Sequence, residues 1–273
     1  MSSLYVVSTP IGNLEDVSLR ALRVLRMVKL IAAEDTRKTM RLLNSYDIKT
    51  PLTSYHEHNK WSKMDYILRF LSETGDVAVV SEAGTPGISD PGHELIVAAE
   101  RRGITIVPVP GPSVVIAALA VSALPTERFT YVGFLPRTGS DRQEFIKSIA
   151  GDSGTLVILE APHRLRETLA DLLQGLGDRS IAVCRELTKM HEEVFRGQIT
   201  DALERFAEPR GEFTLVIEGM QQKAEPPRMT GQIEERLRQM RERGMTAKEV
   251  IPVVSKETGL ARRELYRVWL KLA

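Results

Sequence analysis

The densest chemistry in the chain is in Ala33-Glu34-Asp35-Thr36-Arg37, where two carboxylates, a hydroxyl and a guanidinium follow a short apolar run. A second polar segment, residues 81–92, follows the apolar run 77–80 and reads Ser81-Glu82-Ala83-Gly84-Thr85-Pro86-Gly87-Ile88-Ser89-Asp90-Pro91-Gly92. Gly84 and Gly87 let a ligand approach the backbone, and Pro86 and Pro91 restrict its path. Thr85, Ser89, Glu82 and Asp90 add hydroxyls and acids. A third segment, Pro108-Val109-Pro110-Gly111-Pro112-Ser113, and a fourth, residues 8–16, also follow apolar runs. Plainer roles exist for each. Asp35 or Thr36 caps a helix. Asp90 with Pro91 starts the next helix. The 108–113 segment is a hinge. His56-Glu57-His58 is the sole histidine cluster; without a nearby cysteine or further ligands it reads as a surface loop, and no metal site is expected.

Those segments need elements to hold them. Residues 4–7, 30–33, 77–80 and 104–107 read as buried strands, and 18–28, 61–71 and 94–102 as helices, with Asp16 or Ser18 capping the first. A second block repeats the alternation, with strands over 129–134, 156–159, 181–184 and 213–217. Its helices fall over 142–149, 164–173 and 201–206. Strand–helix alternation predicts an α/β layer structure. Loops at the carboxyl ends of such strands are where ligands bind. Gly-x-Gly-x-x-Gly, P-loop and Gly-x-Ser-x-Gly signatures are missing.

The chain has 273 residues, one cysteine and a formal charge of +1. That length predicts about two domains. The lone Cys184 argues for a reducing compartment, and no signal peptide is read, so a cytoplasmic location is expected. The apolar stretch 114–124 is short of the ~20 residues that span a bilayer, which makes it a buried helix. A polar linker is read over 221–227. Beyond it, 228–273 reads as three short helices with Gly259 in a turn. This tail holds eleven basic residues against six acids, a net +5, which leaves −4 for the rest of the chain.

Together these motifs carry a resemblance. Thr9-Pro10-Ile11-Gly12-Asn13-Leu14, Ala33 to Arg37, Gly84 to Gly92, Pro108 to Ser113, Gly133-Phe134-Leu135-Pro136, Glu160-Ala161-Pro162-His163-Arg164 and Arg185-Glu186-Leu187-Thr188-Lys189 resemble the ribosomal RNA small subunit methyltransferase I family. One position departs from its pattern: Glu82 stands where the family usually has Asp. The resemblance implies a tetrapyrrole methylase-like fold, two α/β domains (1–112 and 113–222) with a cofactor cleft between them, plus the basic helical module 228–273. It implies S-adenosylmethionine as cofactor and 2′-O-methylation of a cytidine in the decoding region of 16S rRNA, on the small ribosomal subunit, by a homodimer. Implied cofactor contacts are Pro10, Ile11, Glu82, Ala83, Gly84, Thr85, Pro86, Ile88, Gly111, Pro112, Ser113, Leu159, Cys184, Thr214 and Leu215.

A ribose hydroxyl is a weak nucleophile, so a general base is expected. Glu34, Asp35, His163 and Glu186 are the candidates, with Asp35 and Glu34 favoured. Arg37, Arg164, Arg185 and Lys189 suit flanking phosphates or a developing alkoxide. Arg262 and Arg263 are the tail's expected RNA contacts. Two other functions fit parts of the pattern. A tetrapyrrole C-methylase shares the fold but usually shows Gly-Gly-Asp-Pro where this chain has Ala83-Gly84-Thr85-Pro86. A non-enzymatic ribosome-assembly factor would explain the tail alone. Deleting 228–273 is expected to weaken RNA binding and flatten its salt dependence, measured by titration at several salt concentrations.

Overall fold

The computed structural model describes residues 2–221 and 229–272. They form two compact units, 1–220 and 221–273. Apart from Gln221, the linker read over 221–227 lies outside the described residues.

The first half of the larger unit is a parallel sheet in the order β3-β2-β4-β1-β5. Its strands are β1 (Ser3–Val7), β2 (Leu30–Ala33), β3 (Leu52–Ser54), β4 (Val77–Val80) and β5 (Thr105–Val109). Successive residues on these strands feed two cores. Leu4, Leu30, Ala32, Val77 and Val79 pack with α3 (Lys60–Glu73) and α4 (His93–Arg101). Val7, Ile31, Ala33, Ala78 and Val80 pack with α1 (Leu19–Met27) and α2 (Thr36–Ser45). A strand buried on both faces has no polar side, which is why β2 and β4 are unbroken apolar runs. Ser18 caps α1 through its side chain, and Asp35 caps α2. Asp90 and Pro91 do not start a helix: α4 begins at His93 behind Gly92, whose φ of +146° suits only glycine. Residues 81–92 are thereby left as loop.

The second sheet is mixed, in the order β6-β7-β10-β8-β9. Its strands are β6 (Phe129–Phe134), β7 (Thr155–Glu160), β8 (Ser180–Arg185), β9 (Glu193–Gln198) and β10 (Phe213–Ile217). One face is covered by α6 (Gly139–Ile149), α7 (Leu165–Leu176) and α8 (Ile199–Arg205). The other is covered by α5 (Val114–Ser122), the apolar stretch between the halves, through Val115, Ala118 and Leu119. No helix among the described residues is long and apolar enough to cross a membrane.

The smaller unit holds α9 (Gly231–Glu242), α10 (Ala247–Thr258) and α11 (Arg262–Lys271) around Leu237, Val250, Ile251, Val254, Leu260, Leu265 and Trp269. Thr246 and Glu249 cap α10 reciprocally.

Arg142 on α6 is buried against α7, where its Nε donates to Asp171 Oδ2 at 2.6 Å while Gln143 donates to Oδ1 at 2.8 Å. Removing one partner strands a buried charge. Asp171→Ala is therefore expected to cost about 3 kcal/mol, and Glu167→Ala, whose carboxylate is exposed, under about 1 kcal/mol, by chemical denaturation.

Candidate active site

Strand ends meet at one place in the larger unit. Thr9 N–H donates to the Gly84 carbonyl at 2.8 Å and Gly84 N–H returns to Thr9 at 3.0 Å, so the loop after β1 and the loop after β4 are zipped together. Ser8 Oγ and Thr85 Oγ1 lie 2.8 Å apart beside this bridge. The loop after β2 joins through Glu34, which accepts from Glu82 N–H at 2.9 Å, while Lys38 on α2 pairs with the Glu82 carboxylate. The second half supplies the opposite wall. There the loop after β1 passes the loop after β8 so closely that a Cβ on Gly12 would lie 2.6 Å from Lys189 Cγ and Thr188 Oγ1.

Between the walls is a cavity of about 420 Å³. The first sheet contributes Ile11, Glu34, residues 82–85 and Ile88, Ser89 and Asp90. The second contributes Tyr131, Phe134, residues 159–162 and 212–214, and the start of α5 adds residues 113–115. Ser89 has φ +62°, a conformation disfavoured for a side chain, and its hydroxyl lies 2.7 Å from Tyr131 Oη. This places strain and a contact between the halves in one residue.

The carboxyl groups are tuned apart. Burial, then the nearby Glu34 charge, pushes Asp90 up to about 6. Glu34 is also raised, by burial and then by Asp35. Asp35 moves the other way: the Lys38 and Arg37 N–H groups bind its exposed carboxylate and favour its charged form. Burial works against the Glu186 charge, but Lys189 Nζ and Glu212 N–H, each at 2.9 Å, outweigh it and lower that group. Burial pushes the Cys184 thiol up to about 11. No group of three or more His, Cys, Asp or Glu suited to a metal exists among the described residues.

Known proteins fit this arrangement. Residues 3–203 match the family model described as Tetrapyrrole (Corrin/Porphyrin) Methylases. Proteins named ribosomal RNA small subunit methyltransferase I are similar along nearly the whole chain. That of Halalkalibacterium halodurans is 43% identical, covering 98% of this chain and 94% of the relative. That of Synechocystis is 44% identical, covering 100% and 99%. The chain belongs to the ribosomal RNA small subunit methyltransferase I family. The Thermotoga maritima member is 48% identical over 221 residues, which is 99% of its length but 80% of this chain. Solved structures of a diphthine synthase (TM-score 0.61, 14% identity, 80% of this chain and 90% of that one) and a Thermus thermophilus uroporphyrin-III-C-methyltransferase (0.54, 23%, 80% and 94%) share the tetrapyrrole methylase fold. Membership makes this chain a methyltransferase.

Of the residues singled out from the family resemblance, Ile11, Glu34, Glu82, Ala83, Gly84, Thr85, Ile88, Ser113, Leu159 and Thr214 line the cavity. Pro10, Pro86, Gly111 and Pro112 belong to the same loops but do not line it. Leu159, Thr214 and Cys184 form one row across β7, β10 and β8. Cys184 is buried under α5 and Leu215 in the opposite core. Arg37 and His163 are exposed, and Glu186 and Lys189 pair beside Glu212. Arg164 donates to the carbonyls of Leu135 and Pro136 at 2.9 and 2.8 Å, and its Nε sits 3.5 Å from the buried Glu160, too poorly placed for a hydrogen bond. Arg262 and Arg263 lie in the smaller unit.

Tyr131, Phe134, Glu160 and Glu212 also line the cavity, although the sequence does not single them out for it. Asp90 was noted only as one of two loop acids or a helix cap. Its position two residues from Gly92, a glycine that ends the loop, is the signal that it stays in the loop.

The Asp90 value lies above that of an unfolded chain, so the fold disfavours its charged form. Its contribution to stability is full below pH 4 and is lost as the pH rises through about 6. Asp90→Asn is expected to stabilise by on the order of 1 kcal/mol at pH 8, a figure reduced for its partial exposure, and not below pH 4, measured by urea denaturation at both.

Proposed function

We propose that this protein transfers a methyl group from S-adenosylmethionine to the ribose 2′-hydroxyl of a cytidine in the decoding region of 16S rRNA. The observation that carries the reading is the cavity itself, which sets apolar walls, backbone groups and raised carboxyls together at the ends of parallel strands. That donor set fits the cofactor. Ile11, Ile88, Val114 and Phe134 offer apolar surface, the 83–85 backbone offers hydrogen bonds, and Glu34, Glu82 and Asp90 suit a positively charged group. When bound, the cofactor supplies an electrophilic methyl group on a sulfonium.

The protein's task is then alignment and proton removal. In-line displacement needs oxygen, carbon and sulfur on one axis, and walls drawn from both halves restrict the approach. Asp90 and Glu34 share the role of proton acceptor, because neighbouring carboxyls that cannot both ionise freely keep one basic near neutrality. Asp35 serves them by capping α2 and raising Glu34. Lys189, held by Glu186 and Glu212 at the rim, is suited to a phosphate.

The smaller unit supplies further RNA contacts through Arg262 and Arg263. A homodimer is supported by α5, an apolar helix that buries Val115, Ala118 and Leu119 but leaves Ile116 and Val121 exposed.

Methyl transfer to small ribosomal subunits is expected to fall about 100-fold or more in Asp90→Asn and in Glu34→Gln. The wild-type rate should rise with pH through about 6 and then level. That acid limb should vanish in Asp90→Asn, and full activity in both variants would remove the proposed base.

A further inference from the structure

Helices α10 and α11 enclose a groove of about 620 Å³ that the core of the smaller unit leaves open. α10 lines it with Ala247, Lys248, Ile251 and Pro252, and α11 with Arg262, Arg263, Tyr266 and Arg267. Both sets have the spacing i, i+1, i+4, i+5, the signature of one face on each helix. The floor is apolar and the rim is cationic.

Three observations separate this groove from an ordinary charged surface. Lys248, Arg262, Arg263 and Arg267 have no ion-pair or hydrogen-bond partner among the described residues, whereas Arg236 pairs with Glu257 and Arg241 donates to the Trp269 carbonyl. Glu249, adjacent to Lys248, is committed to Thr246 at the cap of α10. Tyr266 is half exposed in the middle of the four cations and takes no part in the core formed by Leu265 and Trp269. In addition, Pro252 lacks an N–H and so cannot donate to the Lys248 carbonyl one turn earlier.

An aromatic face among unpaired cations matches a base stacked between charge-neutralised phosphates. Paired A-form RNA offers no free base face and only a narrow major groove, so the groove favours unpaired nucleotides. We propose that the groove between α10 and α11 binds single-stranded RNA, with Tyr266 stacking on a base and Lys248, Arg262, Arg263 and Arg267 holding the flanking phosphates. This rests on the reading of the protein as an RNA-directed enzyme and names the form of RNA its smaller unit takes.

The test uses the full chain and a short fluorescently labelled oligoribonucleotide, alone or annealed to its complement, with binding read by anisotropy. The single strand should bind more tightly than the duplex. Tyr266→Ala should weaken single-strand binding about tenfold, and Tyr266→Phe should leave it unchanged. Arg263→Gln with Arg267→Gln should reduce the slope of log affinity against log salt by about 1.4. No binding of the single strand, tighter binding of the duplex, or wild-type binding by Tyr266→Ala would each overturn the proposal. Methyl transfer to small subunits is followed on the same preparations. Its absence alongside intact single-strand binding counts against the proposed reaction and leaves the groove standing.

Discussion

Two reciprocal hydrogen bonds between Thr9 and Gly84 fix the geometry on which the site depends. A parallel sheet covered on both faces can present function only where its strands end. Each loop there leaves its strand independently, and without a tie the loops would diverge. The bridge joins the loops after β1 and β4, the two strands that lie side by side at the centre of the sheet. Glu34 then reaches the same place through the Glu82 N–H, and Lys38 secures the other side of Glu82. Ser8, Thr85 and the start of α5 complete the wall. The cavity is therefore a product of backbone pairing first and of side-chain choice second.

The central strands were legible because burial on both faces leaves no polar residue to interrupt 30–33 or 77–80. Two of the four edge strands, β3 and β9, were not. β3 is three residues long and half-buried, and β9, Glu-Val-Phe-Arg-Gly-Gln, mixes charge with apolar residues because one side meets solvent. Loops rich in glycine and proline marked one wall of the cavity, since their composition has few other uses. Tyr131 and Phe134 are not marked as cavity residues because an aromatic residue in a strand looks the same whether it faces a core or a cleft. Asp90 shows the converse: Ser-Asp-Pro is a good helix start, yet Gly92 takes the cap, and the acid stays beside Glu34.

Charge needed the same regional view. A formal +1 says little about partners, but it divides into an acidic body and a basic unit with its own core. Most cations of the body are spent on neighbours, as Arg142, Arg164 and Lys189 are. The four around Tyr266 are not, although composition alone would count all of them equally.

Helix α5 links these themes. Its first turn, Val114 and Val115, lines the cavity, and the residues that follow, Ala118 and Leu119, sit in the core beneath β7, β8 and β10. Whatever occupies the cavity thus touches both halves and the connection between them at once, and acts as a cross-brace. By mass action a bound molecule then stabilises residues 1–220 in proportion to the logarithm of its concentration. Empty and filled forms of this protein are in that sense two materials, and resistance to heat or protease becomes a readout of occupancy.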